Sequence, residues 1–212
     1  MKVGILGSGD VAKTLAAGLI KHGHLVMLGT RARTRLDDWQ RQQPKARIGT
    51  LREAAAFGDI AVLAVKGIAA SEALRGAGEG SLVGKVVIDA TNPLSDTPPI
   101  NGVLKYFTSL DESLMERLQA EFAGVRFVKA FNSVGNARMV DPKFIEGKPT
   151  MFICGNDPSA KATVAGILEQ FGWEAEDMGG AEAARAIEPL CMLWCIPGFL
   201  RGEWSHAFKL LK

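Results

Sequence analysis

The residues best suited to chemistry stand near the start of the chain, in the turn Gly7-Ser8-Gly9-Asp10-Val11-Ala12. Gly-x-Gly-x-x-Ala spacing gains meaning when a strand precedes it and a helix follows. Here the apolar run Lys2–Leu6 leads in. Behind it Val11, Leu15, Gly18/Leu19 and His22 recur at helical spacing, with Gly23 placed to end the helix. In that setting Gly7 allows the tight turn, Gly9 lets backbone approach a pyrophosphate, and Ala12 permits close packing of helix on strand. Free N–H groups at the helix start face negative charge, so Gly7, Ser8, Gly9, Asp10 and Val11 are expected to hold a dinucleotide. Asp10 itself reads as the helix N-cap.

About 20 residues beyond such a turn, NAD-specific folds place an acid that takes the ribose 2′-hydroxyl. This chain has Gly29-Thr30-Arg31 there. With no carboxylate at that place to repel it, a 2′-phosphate is expected on the Thr30 hydroxyl, nearby backbone N–H groups and the Arg31 guanidinium. Arg33 or Arg35 offers a second basic group, and Arg33 is taken with the site. The expected cofactor is NADP(H) rather than NAD(H). A solvated basic turn is the competing description of these arginines.

Short apolar runs alternate along the chain with stretches of helical spacing, the pattern of βαβ units stacked into a parallel sheet. Strands are expected at 2–6, 25–28, 60–65, 85–89, 126–130, 150–154 and 173–177, and helices at 11–22, 51–57, 111–123 and 158–171. The fold class is thus α/β, a Rossmann-type, doubly wound and mostly parallel sheet. Residues 1–180 form the cofactor-binding domain, and 181–212 a helical C-terminal segment. Bulky Trp194, Phe199, Trp204 and Phe208 in that segment must cover apolar surface, either over the cleft or between two copies of the chain. Segment 92–102, with three prolines, reads as a functional loop or crossover.

Composition narrows the class of partner. A formal charge of +2 spread over 212 residues is too small for a general grip on nucleic acid or anionic lipid, so a small molecule is expected. Met1-Lys2 runs straight into the first strand, leaving no room for a signal peptide. No apolar stretch reaches the roughly 18 residues of a membrane helix, because Pro197 and Gly198 interrupt the longest. A soluble, cytoplasmic protein with no membrane partner is expected. Its three cysteines (Cys154, Cys191, Cys195) read as reduced thiols, their spacing matching no metal site.

Further segments resemble the family of NADPH-dependent reductases of the deazaflavin coenzyme F420, whose cofactor-binding fold recurs in the cytosolic domain of metalloreductases. The matching pieces are Gly4–Ala12, Thr30-Arg31, VVIDATNPL at 86–94, VKAFNSVG at 128–135 and DMGGAEAARAIEPLCML at 177–193, in order across nearly the whole chain. The resemblance implies that Thr30 and Arg31 hold the 2′-phosphate. It also implies that loops at Ala64-Val65-Lys66, Asn92-Pro93 and Ala130-Phe131-Asn132 wrap the ribose and nicotinamide. These loops follow expected strands, where open α/β sheets place ligands. Pro93 serves equally well as a ring-supporting wall or an ordinary loop proline, and Asn132 as a partner of the cofactor amide or an Asx-turn. Lys66 departs from the family pattern, being either a phosphate contact or a solvated lysine.

Hydride transfer between nicotinamide and a flavin or deazaflavin ring needs aligned rings more than a protein acid or base. The poverty of catalytic side chains fits that chemistry. His22 and His24 are expected at the surface, all three histidines as structural, and no residue is assigned a catalytic role. Met192, Trp194, Ile196 and Phe199 offer an apolar wall to a ring system, with core packing or a dimer seam as the alternative. The expected function is an NADP(H)-dependent oxidoreductase with a flavin-like or F420-type small-molecule partner. The alternatives are reduction of a small imine or carbonyl, usually done by chains with a longer helical domain than segment 181–212, and an NADP(H) sensor without turnover.

Overall fold

The computed structural model describes residues 1–212, the Glu79 side chain excepted. The elements run β1 (Lys2–Leu6), α1 (Asp10–Lys21), β2 (Leu25–Gly29), α2 (Asp37–Gln42), β3 (Arg47–Gly49), α3 (Leu51–Phe57), β4 (Ile60–Leu63), α4 (Ala70–Ala77) and α5 (Glu79–Leu82). They continue with β5 (Val86–Asp89), α6 (Leu114–Glu121), β6 (Arg126–Lys129), β7 (Thr150–Ile153), α7 (Pro158–Gln170), β8 (Glu174–Asp177), α8 (Ala184–Ile187) and α9 (Pro189–Arg201).

Six strands lie parallel in the order β3-β2-β1-β4-β5-β6, the Rossmann order. Every carboxyl end therefore meets one edge, and the order reverses between β1 and β4, where a crevice opens. Side chains alternate along the strands into two apolar layers. Val3, Ile5, Val26 and Leu28 pack with Leu15 and Leu19 of α1 on one face, and Leu6, Leu63, Val87 and Phe127 with α3, α4 and α6 on the other.

The strands expected from the sequence are all present. One more, β3, has only three residues and too little alternation to announce itself. Helix α4 was also illegible, because its buried face is Ala70, Ala73, Leu74 and Ala77, and alanine carries little apolar signal. Strands β7 and β8 form a separate parallel pair. A single antiparallel bridge, Lys129 to Cys154, joins that pair to β6, so the sheet changes direction at its far edge.

The C-terminal segment departs from a helix over 181–212. Helix ends at Arg201, with Gly202 left-handed at φ 71° behind it. The last residues instead run back along β7, where Thr150 N donates to Phe208 O at 2.8 Å and Leu210 N donates to Thr150 Oγ1 at 3.0 Å. Nor does Pro197 interrupt the helix as expected. Residues Ala181–Arg201 form a helical stretch long and apolar enough, by length and composition alone, to cross a membrane. Here its Cys191, Trp194 and Gly198 are buried on the molecule, and Trp194 stacks on His206 at 4.9 Å. Trp194 is thus packing, and Met192 and Ile196 are half-buried beside it, which favours the core alternative over an open wall.

A buried ion cluster ties this segment to the sheet. Lys129 Nζ, fully buried at the end of β6, lies 2.7 Å from Asp89 Oδ2 at the end of β5 and 2.8 Å from Glu188 Oε1. It also donates to Thr91 O at 3.0 Å. Glu188 in turn accepts from the first backbone N–H groups of α6, Leu114 N at 2.9 Å and Met115 N at 3.0 Å. Burial alone would push the Lys129 ammonium down, but the two carboxylates outweigh it and hold the group above its ordinary value, so it stays charged. Removing one member leaves uncompensated buried charge. Lys129→Ala is expected to lower the unfolding free energy in urea by about 3–5 kcal/mol, and Arg75→Ala, which breaks an exposed pair with Glu121, far less. Equal small losses for both would show the cluster to be dispensable.

Candidate cofactor site

The crevice between β1 and β4 is a cleft of about 710 Å³. Its floor is the turn after β1, where Gly7 N donates to Gly29 O at 3.0 Å and Ala64 N donates to Leu6 O at 2.9 Å, so three strand ends share one ledge. Gly7 has φ 141°, and a Cβ there would meet Ala64 O at 2.1 Å. No other residue fits that turn.

Gly9 is different. Its backbone is extended and suits any residue, and a Cβ on it would meet nothing within 4 Å. Packing within the protein does not call for glycine at this position, which faces the open cleft. Gly9 is also the N-cap of α1 and makes no side-chain capping bond, so the first N–H groups of that 12-residue helix keep their capacity for an anion. This corrects the expectation for Asp10. Its backbone is already helical, which puts the carboxylate in the first turn rather than at the cap.

Gly7, Ser8, Gly9, Asp10 and Val11 line the cleft, as do Thr30, Arg31, Ala64, Val65 and Lys66. The Thr30 hydroxyl accepts from Ala32 N at 3.1 Å and lies 3.2 Å from Ser8 Oγ, tying the end of β2 to the glycine turn. Lys66 is solvent-exposed and pairs with Asp96 at 2.8 Å. Arg33 does not line the cleft, whereas Arg35 does. Residues 33–36 form a 3-10 turn, in which a step of two residues rotates a side chain about 240° and so separates the two arginines.

The fold adds an acid that the second strand lacks. The end of β2 carries no acid, but Glu72 of α4 enters the cleft from the opposite wall, and Arg31 Nη1 donates to its Oε1 at 2.7 Å. Nothing in the sequence linked residues 41 apart, and α4 itself was not visible.

The loops after β5 and β6 reach the same edge without lining this cleft, which extends only as far as Ala90. Asn92 Nδ2 donates to Asn132 O at 2.8 Å, and Asn132 Nδ2 donates to Ile187 O at 2.9 Å, so the two amides clasp each other and the C-terminal segment. Pro93 O accepts from Phe107 N at 2.9 Å. Ala130 and Phe131 are buried, and Phe131 holds φ 62°, a left-handed strain of about 1–3 kcal/mol that side chains of its size rarely bear. The neighbouring Asn132 Oδ1 is buried without a hydrogen-bond partner, an acceptor free for an incoming N–H.

None of the three histidines lines the cleft. His22 Nε2 lies 3.1 Å from Asp141, His24 Nε2 lies 2.8 Å from Gln170, and His206 Nε2 lies 3.0 Å from Trp194 O. His24 is buried rather than at the surface, since the turn after α1 folds it onto α7. The ion cluster of Asp89, Lys129 and Glu188 was also missed. Its legible signal was opposite charges closing two apolar strands, VVID and RFVK, which prove to be register partners.

Residues 2–93 match the family model for NADP oxidoreductase, coenzyme F420-dependent. The F420-dependent NADP reductase of Methanothermobacter marburgensis is 31% identical over 207 residues, covering 91% of this chain and 90% of that protein. Metalloreductase STEAP3 of Rattus norvegicus is 31% identical over 204 residues, covering 94% of this chain. The chain spans only 39% of that relative's length. A crystal structure assigned to an F420-dependent NADP reductase of Arthrobacter sp. FB24 superposes with a TM-score of 0.94 at 31% identity, covering 100% of both chains.

Gly9 supplies the direct test of occupancy. Gly9→Ala is expected to keep or raise stability, by up to about 1 kcal/mol. Its Cβ would intrude on the pyrophosphate and weaken NADPH about tenfold or more, a ~1–3 kcal/mol overpacking cost. Thermal unfolding and fluorescence titration with NADPH check the two halves; unchanged affinity would place the pyrophosphate elsewhere.

Proposed function

Because the chain belongs to the coenzyme F420-dependent family of NADP oxidoreductases, we propose that it passes hydride between NADP(H) and a flavin-like or deazaflavin, F420-type acceptor. One observation carries the cofactor half. A single cleft runs from the unfilled N-terminus of α1 at Gly9 to the guanidiniums of Arg31 and Arg35, with no acid on β2.

In this reading the N–H groups around Ser8–Val11 hold the pyrophosphate. Thr30 braces the turn, and Arg31 and Arg35 take the 2′-phosphate. Ala64 and Val65 form the apolar wall beside the ribose, and Lys66 stays with Asp96 at the rim. The strained turn Ala130-Phe131-Asn132 and the clasped Asn92-Pro93 loop bound the nicotinamide end, where Asn132 Oδ1 is the acceptor for a carboxamide N–H. The bound cofactor supplies or takes up the hydride. The protein holds the two rings in register, which needs no acid or base, in keeping with histidines engaged elsewhere.

Residues 1–180 then form the cofactor-binding unit, and the C-terminal segment closes its far side. Exposed Leu193, Phe199, Leu200 and Trp204 support a seam between two copies of the chain. A small-molecule acceptor and a cytoplasmic location, without a nucleic-acid or membrane partner, complete the proposal.

Arg31→Ala is expected to weaken NADPH by about 1.5–3 kcal/mol, the range for charge-assisted hydrogen bonds, and to leave NADH nearly unchanged. Equal losses would remove Arg31 from the 2′-phosphate. The acceptor is read by following nicotinamide absorbance with F420, FMN, FAD and a set of small imines and carbonyls. Turnover with deazaflavin or flavin alone is the expected result. Turnover with imines or carbonyls alone would replace the acceptor class, and tight NADPH binding without turnover would make the protein a sensor.

A further inference from the structure

Two charged side chains of opposite sign face each other across the mouth of the cleft. Arg31 stands just beyond β2 and Glu72 in the first turn of α4, with Arg31 Nη1 2.7 Å from Glu72 Oε1. Both line the cleft, and their side chains are 72% and 68% exposed, so water screens the pair and little holds it closed. We propose that Glu72 is a specificity-determining residue: its carboxylate occupies Arg31 when no 2′-phosphate is present and competes with that phosphate for the guanidinium. This rests on the assignment of Arg31 to the 2′-phosphate.

The argument is electrostatic and geometric. A 2′-phosphate that binds Arg31 must displace a carboxylate already seated on the same planar fork, or share it at close range with a group of like charge. Either way NADP(H) loses part of what Arg31 offers. NAD(H) carries a hydroxyl there and leaves the pair intact. Glu72 thus stands where its charge lowers the preference for the phosphorylated cofactor without touching the pyrophosphate turn. The acid that NAD-specific folds carry at the end of the second strand is supplied here from the facing helix, so one cleft holds both a 2′-phosphate ligand and its competitor. A carboxylate in that place keeps the protein's choice between the two cofactors graded rather than absolute.

The test uses the whole protein, with NADPH and NADH dissociation constants measured by fluorescence titration for wild type, Glu72→Gln, Arg31→Ala and the double variant. Glu72→Gln is expected to tighten NADPH by about threefold to tenfold and to leave NADH within about twofold. In the Arg31→Ala background the same change is expected to lose most of its effect, because no guanidinium remains to compete for. A Glu72→Gln protein that binds NADPH unchanged or more weakly, or that shifts both cofactors alike, overturns the proposal, and so does a gain that persists undiminished without Arg31. If Arg31→Ala itself weakens NADPH and NADH equally, the underlying 2′-phosphate assignment fails instead. Selective loss in Arg31→Ala with no effect of Glu72→Gln leaves that assignment standing and sinks the competition alone.

Discussion

The ammonium of Lys129 is fully buried between the carboxylates of Asp89 and Glu188, and the parts of the molecule around the candidate nicotinamide end converge on it. Two adjacent strands end on this ion pair, since Asp89 and Lys129 are register partners of β5 and β6. The loop after β5 starts from the same group, with Thr91 donating to Asp89 through its N–H at 2.9 Å and its hydroxyl at 2.7 Å. Glu188 extends the cluster to the start of α6 and to the start of α9. Tyr106 Oη donates to Glu188 O at 2.6 Å, which brings the long irregular loop to the same point. Separating these segments would strand a buried charge without solvent, at a cost on the order of 3–5 kcal/mol.

The opposite side of the sheet's edge is organised by absence. Gly7 has no Cβ because Ala64 O fills that space, whereas Gly9 has none although the space is open. The first glycine serves the fold, and the second borders the open cleft. With no side chain capping α1, its first N–H groups have no internal acceptor and stay free toward the cleft. The two halves of the site therefore differ in kind. The end at the glycine turn and Arg31 is open, exposed and electrostatic, and the far end is packed, clasped by amides and anchored to buried charge.

A likeness to proteins of known chemistry bears on these halves unequally. The family match covers residues 2–93, which hold the glycine turn, Thr30, Arg31 and Lys66. Asp89 and Asn92 fall just inside that span, whereas their partners Lys129, Glu188 and Asn132 and the covering helix lie beyond it, where the two full-length comparisons at 31% identity carry the relationship.

Much of the fold was legible from residue order alone. Alternating apolar runs and helical stripes placed β1, α1, α3 and α7 to within a residue or so, because local spacing decides which face of a strand or helix can be buried. The glycine turn and the basic residues after β2 were equally visible, their meaning resting on sequence neighbours. What only tertiary structure decided was every relation across long separation. It put Glu72 against Arg31, selected Arg35 over Arg33, buried His24, and joined Asp89, Lys129 and Glu188 into one cluster. It also turned residues 202–212 from helix into an arm along β7. Charge pairing and close packing depend on which surfaces the folded chain brings together, and the periodicity of a single segment carries no record of its partner.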